Sequence, residues 1–266
     1  MHNAKSLSLV VLLAATSCGK ATQPKPQCKV QQEEYSAVYI PVDQGMPAGC
    51  TPDDLKAGEV LFLQYYRTEV NGVPKLAIEP SSFADAIAVG EEHQVDVKPE
   101  PEYSIGKFTD IYPDDKDICT APKLDDSTLT VAEVVADPNA MPPVEHVPAV
   151  DLNYKWSNVK VLTKPLSNAI HFGADLERKS GTCTMKYKVS ASYPVIFCGD
   201  TMKPVLDEMG KPTGEEEPDF DNSKPVQEVC TFEHEEGSGL DPKLAYACNE
   251  HTLLCVPAHA FPSYTK

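Results

Sequence analysis

Nine cysteines provide the most reactive side chains of this 266-residue sequence. Cys18 stands alone behind a short apolar segment, and the other eight are spread along the chain: Cys28, Cys50, Cys119, Cys183, Cys198, Cys230, Cys248 and Cys255. No two of these eight form a Cys-x2-Cys pair, which disfavours a zinc site. An even number of cysteines in an exported chain instead predicts four disulfide bonds. The pairing stays open, except that a bond between Cys183 and Cys198 is disfavoured because they flank one extended strand.

A run of carboxylates at residues 215–222 could provide the hard oxygen ligands that calcium prefers. Its four candidate ligands are Glu215, Glu217, Asp219 and Asp221. The spacing does not follow an EF-hand loop, because Lys224 and Cys230 stand where the glycine and the bidentate glutamate are required. We therefore expect no metal and no cofactor. Without a cation, residues 207–225 are predicted to be a disordered, solvated loop.

The histidine-containing motifs match no known site. Residues 234–236 (His-Glu-Glu) begin like the helix of a zinc protease, but a serine stands where the second histidine is required. Residues 237–239 (Gly-Ser-Gly) lack the spacing of a nucleophile elbow and are predicted to be a turn. His251 and His259, with Glu250, could in principle hold a metal near the C-terminus. Surface histidines around a disulfide are the preferred interpretation.

Two further alternatives use residues that are distant in sequence. An exported hydrolase could combine His171 and Asp175 with a carboxylate of the acidic run. A sugar-binding domain could use Trp156 with Tyr154 or Tyr193 as a stacking face, although a tryptophan more often fills a core. Neither set forms a recognisable motif, so we predict no catalytic residue.

The N-terminal residues have the pattern of an export signal. Lys5 supplies a positive charge, and the apolar run at residues 7–15 is shorter than the roughly 20 residues of a transmembrane helix. Residues 15–19 (Ala-Thr-Ser-Cys-Gly) resemble the lipobox of bacterial lipoprotein precursors, with alanine where leucine is usual. The resemblance implies that residues 1–17 are a signal peptide and that Cys18 becomes the acylated N-terminus, with palmitate among its acyl chains.

The lipobox resemblance also implies a location. Acyl chains on Cys18 would attach the chain stably to a membrane, because two lipid signals already suffice. Gly19 stands where an aspartate often marks retention in the inner membrane. The expected location is therefore the cell envelope, anchored in the outer membrane.

Charge and composition divide the rest of the chain. Residues 18–34 are rich in Gln, Lys and Pro, which predicts a flexible tether in front of a domain at residues 35–266, with Cys28 joining the two. The formal net charge is −17, and most of the excess lies in residues 91–126 and 207–236. Such acidity argues against nucleic acid as a partner.

Two β-hairpins are predicted from the distribution of apolar and turn residues. Residues 59–78 contain two β-rich runs around the Asn-Gly pair at 71–72, a type I′ turn signal. Residues 183–193 alternate apolar and polar side chains with period two, and residues 171–177 alternate as well. Residues 178–181 (Arg-Lys-Ser-Gly) are predicted to be the turn between them.

The remaining pattern predicts an all-β fold. Further strands are expected at residues 129–135, 154–162 and 244–248, and helix-period runs of useful length are scarce. The 24 prolines and 14 glycines suit short strands in a disulfide-linked, sandwich-like domain. We expect one domain, with the best internal boundary at residues 138–148 and two small β domains as the alternative.

Several segments carry a second resemblance. Residues 118–122 (ICTAP), 154–161 (YKWSNVKV) and 183–198, together with the hairpin at 71–72, resemble uncharacterised cysteine-bearing lipoproteins of myxobacteria over most of the mature chain. This resemblance implies a surface or periplasmic location and brings no known activity. With the anchor and the disulfides, it favours a non-enzymatic module that binds or scaffolds another envelope or extracellular component.

Overall fold

The computed structural model of the chain describes residues 27–43, 45–67, 72–99, 101–141, 143–163, 171–207, 209–231 and 240–263. Within these residues, ten strands form one antiparallel sheet: β1 (Glu34–Pro41), β2 (Gly58–Tyr66), β3 (Lys75–Pro80), β4 (Val97–Pro99), β5 (Ser104–Lys107), β6 (Ile118–Lys123), β7 (Ser127–Val131), β8 (Val150–Leu162), β9 (His171–Ser180) and β10 (Cys183–Ser192). The strand order is β4-β7-β8-β9-β10-β1-β2-β3-β5, and β6 also pairs with β8.

The sheet curls until β5 comes back to the chain between β6 and β7. Asp125 donates a backbone hydrogen bond to Ile105 over 2.8 Å, and the buried hydroxyls of Ser104 and Ser127 lie 2.9 Å apart. The enclosed inner face is filled by large apolar and aromatic side chains, among them Tyr35, Leu61, Leu63, Ile78, Tyr154, Trp156, Leu176 and Tyr187. The predicted all-β fold is confirmed, and its packed layers are opposite walls of one curled sheet.

A helix that the sequence analysis did not predict, α1 (Ser81–Glu92), follows β3 directly. Its Phe83 ring meets the Tyr154 ring edge-on at 5.3 Å between centroids. Near its other end, a Cβ on Gly90 would lie 2.4 Å from Val97 and 2.9 Å from Val131. Only Phe83 and Gly90 of the helix are buried, so its apolar periodicity is weak and the neighbouring strands fix its position.

The C-terminal part of the chain packs on the outer face of the sheet. It contains two hairpins, β11 (Met202–Leu206) with β12 (Pro212–Pro218) and β13 (Tyr246–Cys248) with β14 (Cys255–Pro257). Small residues on the outer face of the sheet allow the C-terminal segment to pack closely against it. The Ser36 hydroxyl donates to the Cys255 carbonyl over 2.5 Å, and a Cβ on Gly173 would lie 2.3 Å from Phe261. The second half of β10 is therefore buried on both faces.

Four disulfides join the eight cysteines that follow the lipobox: Cys28–Cys119, Cys50–Cys183, Cys198–Cys248 and Cys230–Cys255. The prediction of four bonds is confirmed. Cys183 and Cys198 pair with different segments, as expected from the strand that precedes Cys198.

Both predicted hairpins are present, as β2–β3 and β9–β10. Asn71 of the first turn lies outside the described residues. The turn predicted at residues 178–181 is wrong in position, because β9 continues through Ser180 and the chain reverses at Gly181, whose φ is +56°. The reason is that Arg178 points into the enclosed interior beside Tyr154, its cross-strand neighbour. The other predicted strands correspond to β7, β8 and β13.

The prediction of a disordered acidic loop at residues 207–225 is wrong for most of that segment. The chain forms the β11–β12 hairpin there, and Lys203 lies 3.5 Å from Glu217 across it. After the hairpin, the buried Asp219 accepts hydrogen bonds from the Asp221 amide at 3.2 Å and from the Asn222 side chain at 2.9 Å. These bonds close the turn that follows β12.

The predictions for the N-terminal segment and for the internal domain boundary are tested only in part by the described residues. Residues 1–26, which contain the predicted signal peptide, Cys18 and most of the tether, lie outside the described residues. The described end of the tether is docked, because Cys28 and Val30 are buried. Residues 138–148 form most of a loop that is bridged between Val134 and Val147 and connects β7 to β8. Their role as a domain boundary stays a prediction. In the described part of the chain, no helix is long and apolar enough to cross a membrane.

Candidate ligand-binding site

A cavity of about 720 Å³ opens at one end of the curled sheet. It lies between α1, the ends of β7 and β8, and the β9–β10 turn. Its wall is largely apolar and includes Ala86, Val89, Val131, Val134, Val150 and Leu152. Arg178 and Ser82 are among its polar lining residues, which also include the charged side chains of Asp54, Lys56, Asp85 and Asp151. A largely apolar pocket with a few convergent polar groups is the usual form of a small-molecule site.

The lip of the cavity is fixed by a covalent bond. Cys50 lies in the loop between β1 and β2, and its disulfide to Cys183 holds that loop against the start of β10. The neighbouring Gly49 has a φ of +84°, and its carbonyl accepts a hydrogen bond from the Thr182 hydroxyl over 3.2 Å. The opening is thus held by the same crosslink that fixes β10.

A relay of buried polar side chains lies behind the cavity. The Glu59 carboxylate accepts hydrogen bonds from the hydroxyls of Tyr39 and Tyr154, both over 2.8 Å, and from the Ser82 amide over 2.9 Å. The Tyr154 oxygen in turn accepts from Arg178 Nε over 2.9 Å. Because the Tyr154 proton is directed to Glu59, the Ser82 hydroxyl, 3.1 Å away, must donate to Tyr154. The hydrogen-bond direction of each hydroxyl in this relay is therefore fixed by its partners.

Burial and charge set the protonation of this relay. Burial, followed by the nearby Glu59 carboxylate, raises the pKa of Tyr39 and of Tyr154 far above the ordinary tyrosine value. Burial by itself would lower the pKa of Arg178, but Tyr154 and Glu59 outweigh it and raise that pKa. The tyrosines therefore stay neutral and the arginine stays charged at physiological pH. The charges of Arg178 and Glu59 attract each other, and the Tyr154 hydroxyl links the two side chains by hydrogen bonds.

The sequence signal for this site was present but incomplete. Leu176 and Arg178 have the same parity in β9, so extending the alternation by one residue would have placed Arg178 on the inner face. Nothing local marks Glu59 or Tyr154. They are 95 residues apart in sequence and meet because the sheet curls.

His171 and Asp175, proposed for a hydrolase, do not come together. His171 is fully buried, with Nε2 2.8 Å from the Ser190 hydroxyl and Nδ1 accepting from the Ser263 amide at 3.4 Å. Since Nδ1 accepts, Nε2 carries the proton and donates to Ser190, which is the wrong tautomer for a base acting on that serine. Asp175 contacts Lys188 and Asn158 at the outer surface. The proposed catalytic arrangement is therefore wrong.

The buried His171 predicts a specific response to acid. Burial lowers the pKa of its imidazole from 6.5 to about 3. Above about pH 6.5 it is neutral whether the chain is folded or unfolded and has no effect on stability. Below that pH the unfolded chain takes up a proton that the folded chain excludes, so the free energy of unfolding falls by about 1.4 kcal/mol per pH unit towards pH 3.

Replacing His171 by asparagine should remove this one-proton slope. Urea unfolding at pH 7.5, 5.5 and 4.5 should give a smaller loss of stability for the variant, with a difference of about 1.4 kcal/mol per unit below pH 6. Carboxylates titrate in both the wild type and the variant, so their contribution to the pH dependence of stability cancels in the difference between the two proteins. Parallel pH profiles would show that His171 does not titrate in the way that its burial requires.

The aromatic residues proposed for sugar stacking are core residues. Trp156 and Tyr154 are fully buried, and the half-buried Tyr193 packs on Tyr35 with 6.0 Å between ring centroids. They form no exposed platform, so the sugar-binding hypothesis is wrong for these residues.

The candidate metal ligands are not gathered into a site. In the described chain, one group of three His, Cys, Asp or Glu side chains has its ligand atoms within 4.8 Å of one another, and it consists of disulfide-bonded cysteines: Cys198, Cys230 and Cys248. No three of Glu215, Glu217, Asp219 and Asp221 therefore come together, nor do Glu250, His251 and His259. Residues 232–239, with the other histidine motif, lie outside the described residues.

The cavity and the tether lie at opposite ends of β8. Val150 and Leu152 line the cavity, whereas Cys119, which binds Cys28, is paired with Val161 at the other end of the strand. Nine residues separate Leu152 from Val161, which corresponds to roughly 30 Å of strand. The chain therefore enters the fold far from the cavity.

Comparison with known proteins adds the following findings. The model of the family described as MlpA matches residues 33–194. The chain is 26% identical over 253 residues to a protein of Myxococcus xanthus with the name "Putative lipoprotein MlpA", and the alignment covers 91% of this chain and 89% of that protein. No solved structure matches the chain. The residues that match the family begin just before β1 and end just after β10, so they include the curled sheet, the cavity and the buried relay.

Proposed function

The chain belongs to the MlpA family and is a lipoprotein, and we propose that it is a non-enzymatic binding protein of the cell envelope that holds a ligand in the cavity beside Arg178. The proposal includes an acylated Cys18 and an outer-membrane location, which the sequence of residues 15–19 supports. The ligand of the protein is proposed to be another component of the cell envelope or of the extracellular surroundings.

The observation that carries the proposal is the cavity itself. It combines an apolar wall with one buried guanidinium, and its lip is fixed by the Cys50–Cys183 disulfide. Such preorganisation favours binding, because little ordering remains to be done when the ligand arrives. The described lining contains no histidine or cysteine, and its half-buried Ser82 donates its hydroxyl proton to Tyr154 instead of facing a base. These features support binding over catalysis.

The position of the tether supports access from the aqueous side. Ten residues separate Cys18 from Cys28, which is at most about 35 Å of extended chain. Cys28 is attached roughly 30 Å from the cavity along β8. An anchor at Cys18 would therefore hold the fold within about 35 Å of the membrane and attach it at the end opposite the cavity, which leaves the cavity accessible to water-borne ligands.

A matched pair of helix variants tests the proposal. Ala86 lines the cavity, whereas Ala88, two residues later in α1, is exposed and lies outside the lining. Ala86→Trp should fill the cavity, and Ala88→Trp should leave it open. We expect a small molecule to co-purify in near-equimolar amount with the full-length wild type and Ala88→Trp, and to fall at least tenfold in Ala86→Trp.

The readout is mass spectrometry of solvent extracts of the three full-length proteins, purified from membranes under identical conditions. If all three carry the same molecules in the same amounts, the cavity is not the binding site and the proposal fails.

A further inference from the structure

Building on the proposed binding function, we infer that the ligand is an amphipathic monocarboxylate, with its carboxylate on Arg178 and its apolar body against the valine-rich wall of the cavity. This assignment names the chemical class of the ligand and the residue that selects it. It follows from the hydrogen-bond inventory of Arg178, the charges around the lip and the composition of the wall.

Arg178 has unused capacity to bind an anion. A guanidinium has five N–H donors. Within the described residues, Nε donates to the Tyr154 hydroxyl at 2.9 Å and Nη1 to the Asp54 carbonyl at 3.3 Å, both uncharged oxygens. None of the ion pairs found in that part of the chain includes Arg178. A buried guanidinium that borders a cavity without a direct carboxylate partner is suited to accept one from a ligand, in the bidentate geometry that arginine favours.

The relay holds this donor in place. Tyr154 fixes Nε, and Glu59 fixes Tyr154 through its hydroxyl. The side chain is also locked by burial, with 9% of Arg178 exposed. The ligand would therefore meet a guanidinium that is already oriented, which lowers the entropy cost of binding.

The charges at the lip limit the ligand to a single negative charge. Asp54, Asp85 and Asp151 line the cavity together with Lys56 and Arg178, and Lys179 lies 3.3 Å from Asp151. A second charge on the ligand would approach these carboxylates, which disfavours phosphomonoesters and dicarboxylates. A single carboxylate paired with Arg178 adds the least negative charge beside these acids, of which Asp54 also accepts a hydrogen bond from Arg178 through its backbone carbonyl.

The wall defines the rest of the ligand. Its alanine, valine and leucine side chains, with no aromatic residue among them, offer a smooth apolar surface in a cavity of about 720 Å³. That volume accommodates an alkyl chain or a short run of aliphatic side chains. Each methylene that is fully buried should strengthen binding about fourfold. Affinity should therefore rise steadily with the length of the apolar body.

The test uses the full-length lipoprotein in nanodiscs, with empty nanodiscs as the reference for membrane partition. Equilibrium dialysis with radiolabelled octanoate, octanamide, octylamine and octyl phosphate compares one chain length with four head groups. We expect saturable octanoate binding to the wild type and to Ala88→Trp, at least tenfold weaker binding of the other three probes, and loss of octanoate binding in Ala86→Trp. Arg178→Lys, which keeps the charge and loses the bidentate fork, should weaken octanoate at least tenfold without changing octanamide.

Two sources of the carboxylate are separated by a second pair of probes, N-acetyl-trileucine with a free and with an amidated C-terminus. Tighter binding of the free peptide than of octanoate would indicate a peptide C-terminus, and the reverse would indicate a fatty acid. Either order supports a monocarboxylate.

Other outcomes would overturn the inference. Octanamide or octylamine binding as tightly as octanoate, with loss in Ala86→Trp, would refute the carboxylate while leaving the binding function intact. No saturable binding of any probe would also refute it. In that case, the co-purification experiment on Ala86→Trp decides separately whether the cavity binds anything.

Discussion

Replacing Arg178 by methionine is expected to lower the free energy of unfolding by about 3 kcal/mol or more. Methionine keeps an unbranched apolar stem but removes the guanidinium that donates to Tyr154 in the relay. The Glu59 carboxylate would then remain buried without a compensating cation, and Tyr154 would lose a donor. Breaking one partner of a buried charge network costs far more than the network contributes in total, because the other charge stays desolvated. Such a loss is a large fraction of the free energy of unfolding of a typical domain, which is roughly 5 to 15 kcal/mol.

The measurement is urea unfolding of the full-length proteins in the same detergent, followed by the fluorescence of Trp156. This residue is the sole tryptophan of the sequence and is fully buried in the interior behind the relay, so its emission reports the loss of the core directly. The slope of the transition should stay unchanged if the variant alters stability alone.

Lys179→Met is the matched control, because Lys179 is the next residue of β9 and points outwards. Its amine lies 3.3 Å from Asp151 in a pair that is about half exposed on each side. A surface pair of this kind contributes about 1 kcal/mol at most. Equal stabilities of Arg178→Met and Lys179→Met would contradict the importance of the relay. In the double variant Glu59→Leu with Arg178→Met, the free energy of unfolding should fall by less than the sum of the decreases in the two single variants. The reason is that neither charge of the pair remains buried alone.

The sequence was most informative where a pattern is local. The period-two alternation of residues 183–193 predicted β10 and its partner β9, because one face of these strands meets a continuous apolar interior. The cysteine count predicted four disulfides. It could not predict that Cys50 binds Cys183, because a sequence separation of 133 residues leaves no local trace of the contact.

The features missed by the sequence analysis are those fixed by tertiary contacts. Helix α1 buries little apolar surface, and its first turn is held by Glu59, which accepts from the Ser82 amide. A carboxylate at a helix N-terminus stabilises it, but here that carboxylate comes from another strand. The high charge and the few apolar side chains of the acidic hairpin predicted disorder. In the structure, Glu215 and Glu217 are separated by Glu216 on the opposite face of β12, and cross-strand bonds order the chain.

The buried relay is the clearest example of information that the sequence distributes. Glu59, Tyr154 and Arg178 lie on three strands, and each is unremarkable in its own segment. Only the curl of the sheet brings them beside one cavity. A pattern search that scans one segment at a time cannot find such a cluster, because its residues come from three strands that are distant in sequence.

The envelope location proposed for the chain depends on a lipid anchor at Cys18. Replacing Cys18 by serine should abolish incorporation of radiolabelled palmitate and move the full-length chain from the membrane pellet to the soluble fraction after an alkaline wash. The physical reason is that no acyl chain can be attached to serine by the thioether chemistry of a lipobox. Each methylene that no longer inserts removes about 0.8 kcal/mol of membrane affinity.

The control for this experiment is the double variant Cys28→Ser with Cys119→Ser. It replaces two cysteines by the same residue and breaks the disulfide that docks the end of the tether, but it leaves the lipobox intact. It should incorporate palmitate at the wild-type level and stay in the pellet, even though loss of a disulfide typically costs about 2 to 4 kcal/mol of folding stability. If Cys18→Ser still incorporates palmitate, the acylation site is another residue, and the attachment of the membrane anchor opposite the cavity no longer follows. If it loses palmitate but stays in the washed pellet, something other than lipid holds the chain at the membrane, and the anchor assigned to Cys18 is wrong.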